Sequence, residues 1–148
     1  MIKIDFPQHD FKIKKEGSIE RIFDEFRKKW YVLTPEEWVR QNMFIYLTKS
    51  LAYPASLLAI EKEIGLGELK KRADIVVYNY EGEPWMIIEC KEMNVPLGES
   101  TINQALLYHS GLSVGYLIIT NGSYTYGFEK KGTRFENMNE FPDFPTRN

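Results

Sequence analysis

The fold class this sequence predicts is a mixed α/β sandwich: a central mixed β-sheet with helices on its faces, behind a β-rich N-terminal extension. Three observations predict it. Thr34-Pro35-Glu36-Glu37 carries a helix-start signature immediately before an amphipathic run. Two β-rich apolar runs, Ile75-Val76-Val77-Tyr78 and Trp85-Met86-Ile87-Ile88, flank a polar turn around Glu81-Gly82-Glu83-Pro84 and read as a hairpin. A second helical segment then separates this hairpin from two further apolar strands, so helices and strands interleave.

Composition narrows the function classes. A chain of 148 residues is long enough for one domain with a real core, and 43% hydrophobic against 27% charged residues is a globular balance. Nineteen Lys and Arg face 21 Asp and Glu, a net charge of −2, so any polyanion must be held by a local basic patch. The single cysteine, Cys90, excludes an internal disulfide. The N-terminus lacks the apolar stretch of a signal peptide and no window is long enough for a membrane span, so the sequence reads as cytoplasmic, with no membrane partner.

In chain order, Phe11–Ile13, Ile19–Phe23 and Trp30–Leu33 are short β-type runs, although Ile19–Trp30 can also be drawn as a helix with Ile22, Phe23 and Phe26 on one side. Residues 1–33 form the β-rich extension, packed on a main unit spanning 34–132, with 133–148 as a loose tail. The first helix is capped by Thr34, has Pro35 at its first position, and should run to about Leu51, before Pro54. On a helical wheel Val39, Met43, Phe44, Tyr46, Leu47 and Leu51 spread around one side, with Glu36 and Arg40 in the same sector and Glu37 at the edge, engaged in the capping box. Leu57–Ile64 reads as a strand, and Gly65-Leu66-Gly67 as a turn into the charged run Glu68–Arg72. After the hairpin, Ser100 or Thr101 caps a second helix carrying Ile102, Ala105, Leu106 and Leu112, with Gln104 and Tyr108 on one face. Gly115–Thr120 and Tyr124–Glu129 are strands joined through Asn121-Gly122.

The chemistry gathers on the hairpin. Asp74 opens its first strand, while Glu89 and Lys91 end the second, two apart and therefore on one face. Strand pairing would bring Asp74 beside them. Two carboxylates suit a magnesium ion, which takes oxygen ligands and keeps several waters. Such an ion would polarise a scissile phosphate and acidify a water, which Lys91 could orient. The competing interpretation is a set of salt-bridged strand ends on a solvated rim. Cys90 alternates to the opposite face as a small apolar filler, and His9 and His109 are too few and too scattered for a zinc site. Arg40 is a candidate for a buried ion pair. Among the basic clusters, Lys70-Lys71-Arg72 is the best candidate for contacting nucleic acid because it directly precedes Asp74; Lys12-Lys14-Lys15, Arg27-Lys28-Lys29 and Lys130-Lys131 are weaker.

Four segments, Arg72-Ala-Asp-Ile-Val-Val-Tyr, Trp85-Met-Ile-Ile-Glu-Cys-Lys, Asn103-Gln-Ala-Leu-Leu-Tyr and Tyr116-Leu-Ile-Ile-Thr-Asn-Gly, resemble the PD-(D/E)XK nuclease superfamily. They are most similar to the N-terminal nuclease domain of type I restriction enzyme R subunits and to small stand-alone relatives. The resemblance covers Thr34–Glu129 and implies a restriction-endonuclease-like fold. It also implies an endonuclease acting on DNA with Mg²⁺, or Mn²⁺ as substitute, in restriction or DNA processing. On it Asp74 and Glu89 bind the metal, Lys91 completes the E-x-K pair, and Gln104 with Tyr108 matches Q-x-x-x-Y. A carboxylate from the first helix, Glu36 or Glu37, would join them; the wheel favours Glu36. Tyr108 is expected to be a core aromatic.

Two departures stand out. Ala73 replaces the proline of the motif, and the helicase motor that accompanies this domain in restriction subunits has no counterpart, since no G-x-x-x-x-G-K-[ST] occurs. A homodimer or a larger restriction-type assembly is a further expectation. The alternative is an inactive module of the same fold that binds nucleic acid or a partner; a third reading is a structural subunit.

Overall fold

The computed structural model describes residues 1–147. Three antiparallel strands, β1 (Ile13–Glu16), β2 (Ile19–Asp24) and β3 (Lys29–Val32), form an N-terminal meander. The helical alternative for this stretch fails on period: Ile22 and Asp24 are buried while Arg21 and Phe23 are only partly covered. Aromatic contacts seat the meander and the segment before it on the first helix, Phe26 against Phe44 at 4.5 Å and Phe11 against Trp38 at 5.0 Å between ring centroids.

Helix α1 (Pro35–Ile45) begins as its cap predicts, with the Glu37 amide donating to Thr34 Oγ1 at 3.0 Å. It widens into a π turn over Tyr46–Ser50 and stops at Leu51, where Ala52 takes φ +57° ahead of Pro54. Next come β4 (Leu58–Ile64), β5 (Lys71–Tyr78), β6 (Pro84–Cys90), α2 (Glu99–His109), β7 (Tyr116–Thr120), β8 (Thr125–Lys131) and β9 (Arg134–Met138). The six strands from β4 to β9 form one sheet in sequence order. Neighbours are antiparallel except β6 and β7, which are parallel because α2 carries the chain across between them.

Two apolar layers cover the sheet. On one face Val39, Met43 and Leu47 of the first helical segment pack on Ile75, Val77, Met86, Ile88 and Ile118. On the other, Ala105 of α2 and Leu112 pack with Val76, Ile87, Leu117 and Ile119. Strands β5 and β6 are therefore apolar on both sides, which explains their unbroken hydrophobic runs. Each fully buried Val or Ile contributes about 1.5–3 kcal/mol to stability.

Two expectations change. Helix α2 starts at Glu99 with Gly98 as its cap and no side-chain capping bond, so neither Ser100 nor Thr101 caps it. Residues after 132 are not a loose tail: β9 pairs with β8, Phe141 is buried, and Tyr53 Oη donates to the Pro142 carbonyl at 2.5 Å. Charges at Arg134 and Glu136 hide this edge strand from a hydrophobic pattern. No helix among the described residues is long and apolar enough to cross a membrane.

One irregularity positions the chemistry. Ala73 lies in the same core layer as Val76, although Ile75 and Val77 lie in the other, so strand alternation breaks at Asp74. Opposite it in the β4 register Glu61 takes φ +53°, a costly conformation for a non-glycine residue, and the pair drops out of the ladder. On the other side, β5–β6 pairing ends at Ile75 and Ile88. Asp74 thus sits where its strand skips one pair with β4 and parts from β6.

Candidate active site

Where β5 and β6 part, a side chain takes over from the ladder: the Cys90 amide donates to Asp74 Oδ2 at 2.7 Å. The other Asp74 oxygen, Oδ1, accepts from Arg40 Nη2 at 2.9 Å. Burial pushes the Asp74 pKa up, aided by the nearby charge of Glu89, while the Cys90 amide and Arg40 partly offset it. Burial also opposes the Arg40 cation, but hydrogen bonding to Asp74 and the charges of Asp74, Glu37 and Glu61 carry its pKa above the usual value. Arg40 stays charged because a guanidinium does not give up its proton in a protein.

Glu89 on β6 and Lys91 just past its end follow with alternation intact, the Lys91 amide still donating to the Thr120 carbonyl. Ile88 and Cys90 pack toward α1, so Glu89 turns toward α2, where its Oε2 lies 2.8 Å from His109 Nε2. Lys91 shares a cleft of about 400 Å³ with Glu36, Arg40, Glu61, Arg72, Asp74, Glu89 and Tyr108. It has no ion-pair partner among the described residues. A neighbouring cleft of about 280 Å³ is lined by Glu89, Lys91, Thr101, Gln104 and Tyr108. Gln104 therefore approaches Glu89 and Lys91 and does not line the cleft of Asp74.

Several expectations meet corrections here. Glu37, not Glu36, is the inward carboxylate: its side chain is 5% exposed against 50% for Glu36. The wheel erred because Glu37 does not bend back to the cap as the capping box supposed; the Thr34 amide bonds the Val32 carbonyl instead. Glu37 Oε1 accepts from Arg40 Nη1 at 2.5 Å, and its Oε2 accepts from Gln41 at 3.0 Å and from Arg27. Glu36 reaches the cleft through Arg40, at 3.1 Å. Tyr108 is not a core aromatic; it is 46% exposed, with Lys71 Nζ 4.8 Å above its ring. Of the basic triplet, Arg72 lines the cleft paired with Glu61, whereas Lys70 pairs outward with Glu63 at 3.0 Å. Cys90 is buried and burial pushes its thiol pKa well up, which suits a filler and not a nucleophile.

Three participants escaped the sequence reading. Glu61 lies on a strand whose kink leaves no local signature; it accepts from Arg27 at 3.1 Å and sits 3.4 Å from Arg40. Burial works to raise its pKa, but Arg40, Arg72 and Arg27 outweigh that and hold it low. Arg27 comes from the β2–β3 turn, held by Asp24 at 2.5 Å, so an ionic chain runs Asp24–Arg27–Glu37–Arg40–Asp74 from meander to cleft. His109 had a signal: it lies four residues after Ala105 and three before Leu112, within the buried stripe of α2. Its Nδ1 is buried without a partner, so Nε2–H is the proton directed at Glu89. His109→Ala is expected to cost about 2 kcal/mol in chemical denaturation by leaving a void and stripping Glu89 of its donor. His109→Gln, which keeps an N–H donor, should recover part of that loss.

The family model described as type I restriction enzyme R protein N terminus matches residues 35–142. No curated protein matches the chain.

Proposed function

Because this chain belongs to the family of type I restriction enzyme R protein N termini, we propose that it hydrolyses DNA phosphodiester bonds with a divalent cation, Mg²⁺ or Mn²⁺ in its place. The observation that carries this reading is the meeting of Asp74, Glu89 and Lys91 in one cleft, at the point where β5 and β6 separate. Asp74 and Glu89 would hold the ion. Their fit rests on donor chemistry: two carboxylates on one cleft supply the oxygen ligands a hard divalent cation takes, and a cation there would offset the repulsion between Glu89 and Asp74. Among the described residues no group of three or more His, Cys, Asp or Glu gathers for a metal, so an ion here would rest on two carboxylates and keep waters. That pattern suits magnesium and not zinc. When bound, the ion supplies Lewis-acid polarisation of the scissile phosphate.

The chain's own residues do the remainder. Lys91, uncommitted to any carboxylate, positions the attacking water and offsets charge developing on the phosphate oxygens. Gln104, across the adjoining cleft, holds that water by hydrogen bonding. Glu36 braces Arg40 at the edge of the cleft. Arg72 and Lys71 at the rim take the flanking phosphates, with Lys70 a more distant contributor.

Plasmid nicking is the test. Wild type should convert supercoiled to open-circular DNA in Mg²⁺ and stop in EDTA, and Lys91→Ala should nick about a hundredfold more slowly. Equal rates, or cleavage in EDTA, would overturn the reading. The rival, a binding module of the same fold, draws on Arg40 already satisfying Asp74. It predicts no divalent-ion heat in calorimetry and no nicking.

A further inference from the structure

The meander β1–β3 lies ahead of residue 35, where the family resemblance begins, and the cleft does not use its outer face. Its inner face is committed: Ile22 is fully buried, and Arg27 stacks 3.6 Å over Tyr31 on its way to Glu37. The outer face is not. There Lys14 lies directly opposite Arg21, a like-charge pair that costs stability across a sheet, and both share one carboxylate, Glu16. Phe23 and Trp30 form a cross-strand aromatic pair at 5.3 Å, with Lys12 Nζ 5.7 Å over the first ring and Lys14 Nζ 4.3 Å over the second. Trp30 is 37% exposed. Residues 12–32 carry seven Lys and Arg against four Asp and Glu, a net +3 in a chain whose total is −2.

We propose that this outer face binds single-stranded DNA, with a base stacked on Trp30 and phosphates taken by Lys12, Lys14 and Arg21. The proposal rests on the reading above that DNA is the substrate. Aromatic rings framed by cations suit unstacked bases joined by phosphates, whereas a duplex keeps its base faces covered. The lysine over Trp30 occupies the position of a base and moves to the adjoining phosphate when one stacks. A phosphate between Lys14 and Arg21 supplies the counter-charge that Glu16 alone does not complete.

Fluorescence anisotropy with a labelled oligo-dT of about twenty nucleotides, in EDTA so that no cleavage occurs, tests this directly. Wild type is expected to bind it more tightly than a duplex of equal length. Trp30→Ala should weaken binding about tenfold, while Trp30→Phe keeps most of it. Lys12→Gln with Lys14→Gln should weaken it about tenfold and flatten the salt dependence by about 0.7 per lost contact. Lys131→Gln, which removes one charge on β8, should leave affinity unaltered. Circular dichroism checks that each variant is folded. No binding by wild type, indifference to Trp30→Ala, duplex preference, or equal binding of polyglutamate would each overturn the proposal. Nicking is scored separately: cleavage without strand binding sinks this inference alone, and sheet-dependent binding without cleavage sinks the nuclease reading alone.

Discussion

Glu37→Ala is expected to lower the thermal midpoint by about 10 °C. Glu37 is 4% exposed and accepts hydrogen bonds from Arg27, Arg40 and Gln41. Removing it leaves two guanidiniums facing each other in a poorly hydrated space, with Arg27 keeping Asp24 and Glu61 and Arg40 keeping Glu36, Glu61 and Asp74. Breaking a buried ion pair from one side costs about 3–5 kcal/mol, because the orphaned charge keeps its desolvation penalty. For a domain near this size each kcal/mol moves the midpoint by about 2–4 °C. Glu36→Ala is the control. Glu36 is half exposed and touches Arg40 alone among the described residues, so its loss should cost under about 1 kcal/mol. Differential scanning calorimetry on both variants decides the matter: equal shifts would mean that the Asp24–Arg27–Glu37–Arg40–Asp74 chain does not bear on stability.

That contrast marks where the sequence could be read and where it could not. Strands β5 and β6 were legible because two-sided burial writes continuous apolar runs, and the start of α1 because Thr34 and Pro35 act locally. The proximity of Asp74 to Glu89 and Lys91 followed from hairpin pairing alone. What escaped depended on tertiary partners. A helical wheel assigns Glu37 to the edge, but Arg27, ten residues earlier in the chain, draws it inward. Gly98 caps α2 without any side-chain bond, so the polar Ser100 and Thr101 misled. The kink at Glu61 and Asp74 left no trace, since nothing in Leu58–Ile64 departs from an ordinary strand composition. Strand β9 pairs through its backbone while its side chains read as polar. The fold was written in local patterns, and the surroundings of Asp74 in contacts between segments far apart in sequence.

Asp74→Asn is expected to fold with near-native stability and to lose divalent-ion binding and DNA cleavage together, the latter by about a thousandfold or more. The substitution separates structure from chemistry because asparagine matches aspartate in shape. Its carbonyl oxygen can still accept from the Cys90 amide, so the parted end of β5 and β6 stays bridged. Arg40 keeps Glu36, Glu37 and Glu61 and is not stranded. Burial already disfavours the Asp74 charge, so a neutral side chain in its place removes a desolvation cost. Set against that is the lost attraction to Arg40, whose Nη2 then meets an amide nitrogen that cannot accept its hydrogen bond. What asparagine cannot replace is the negative charge of Asp74, one of the two carboxylates proposed to hold the ion. Asp74→Ala would confuse the result, since it leaves the Cys90 amide without its acceptor at a cost of about 1–3 kcal/mol. Calorimetric titration with Mn²⁺ and plasmid nicking, run beside thermal unfolding, give three independent readouts. Cleavage within tenfold of wild type by a folded Asp74→Asn protein would remove Asp74 from the site.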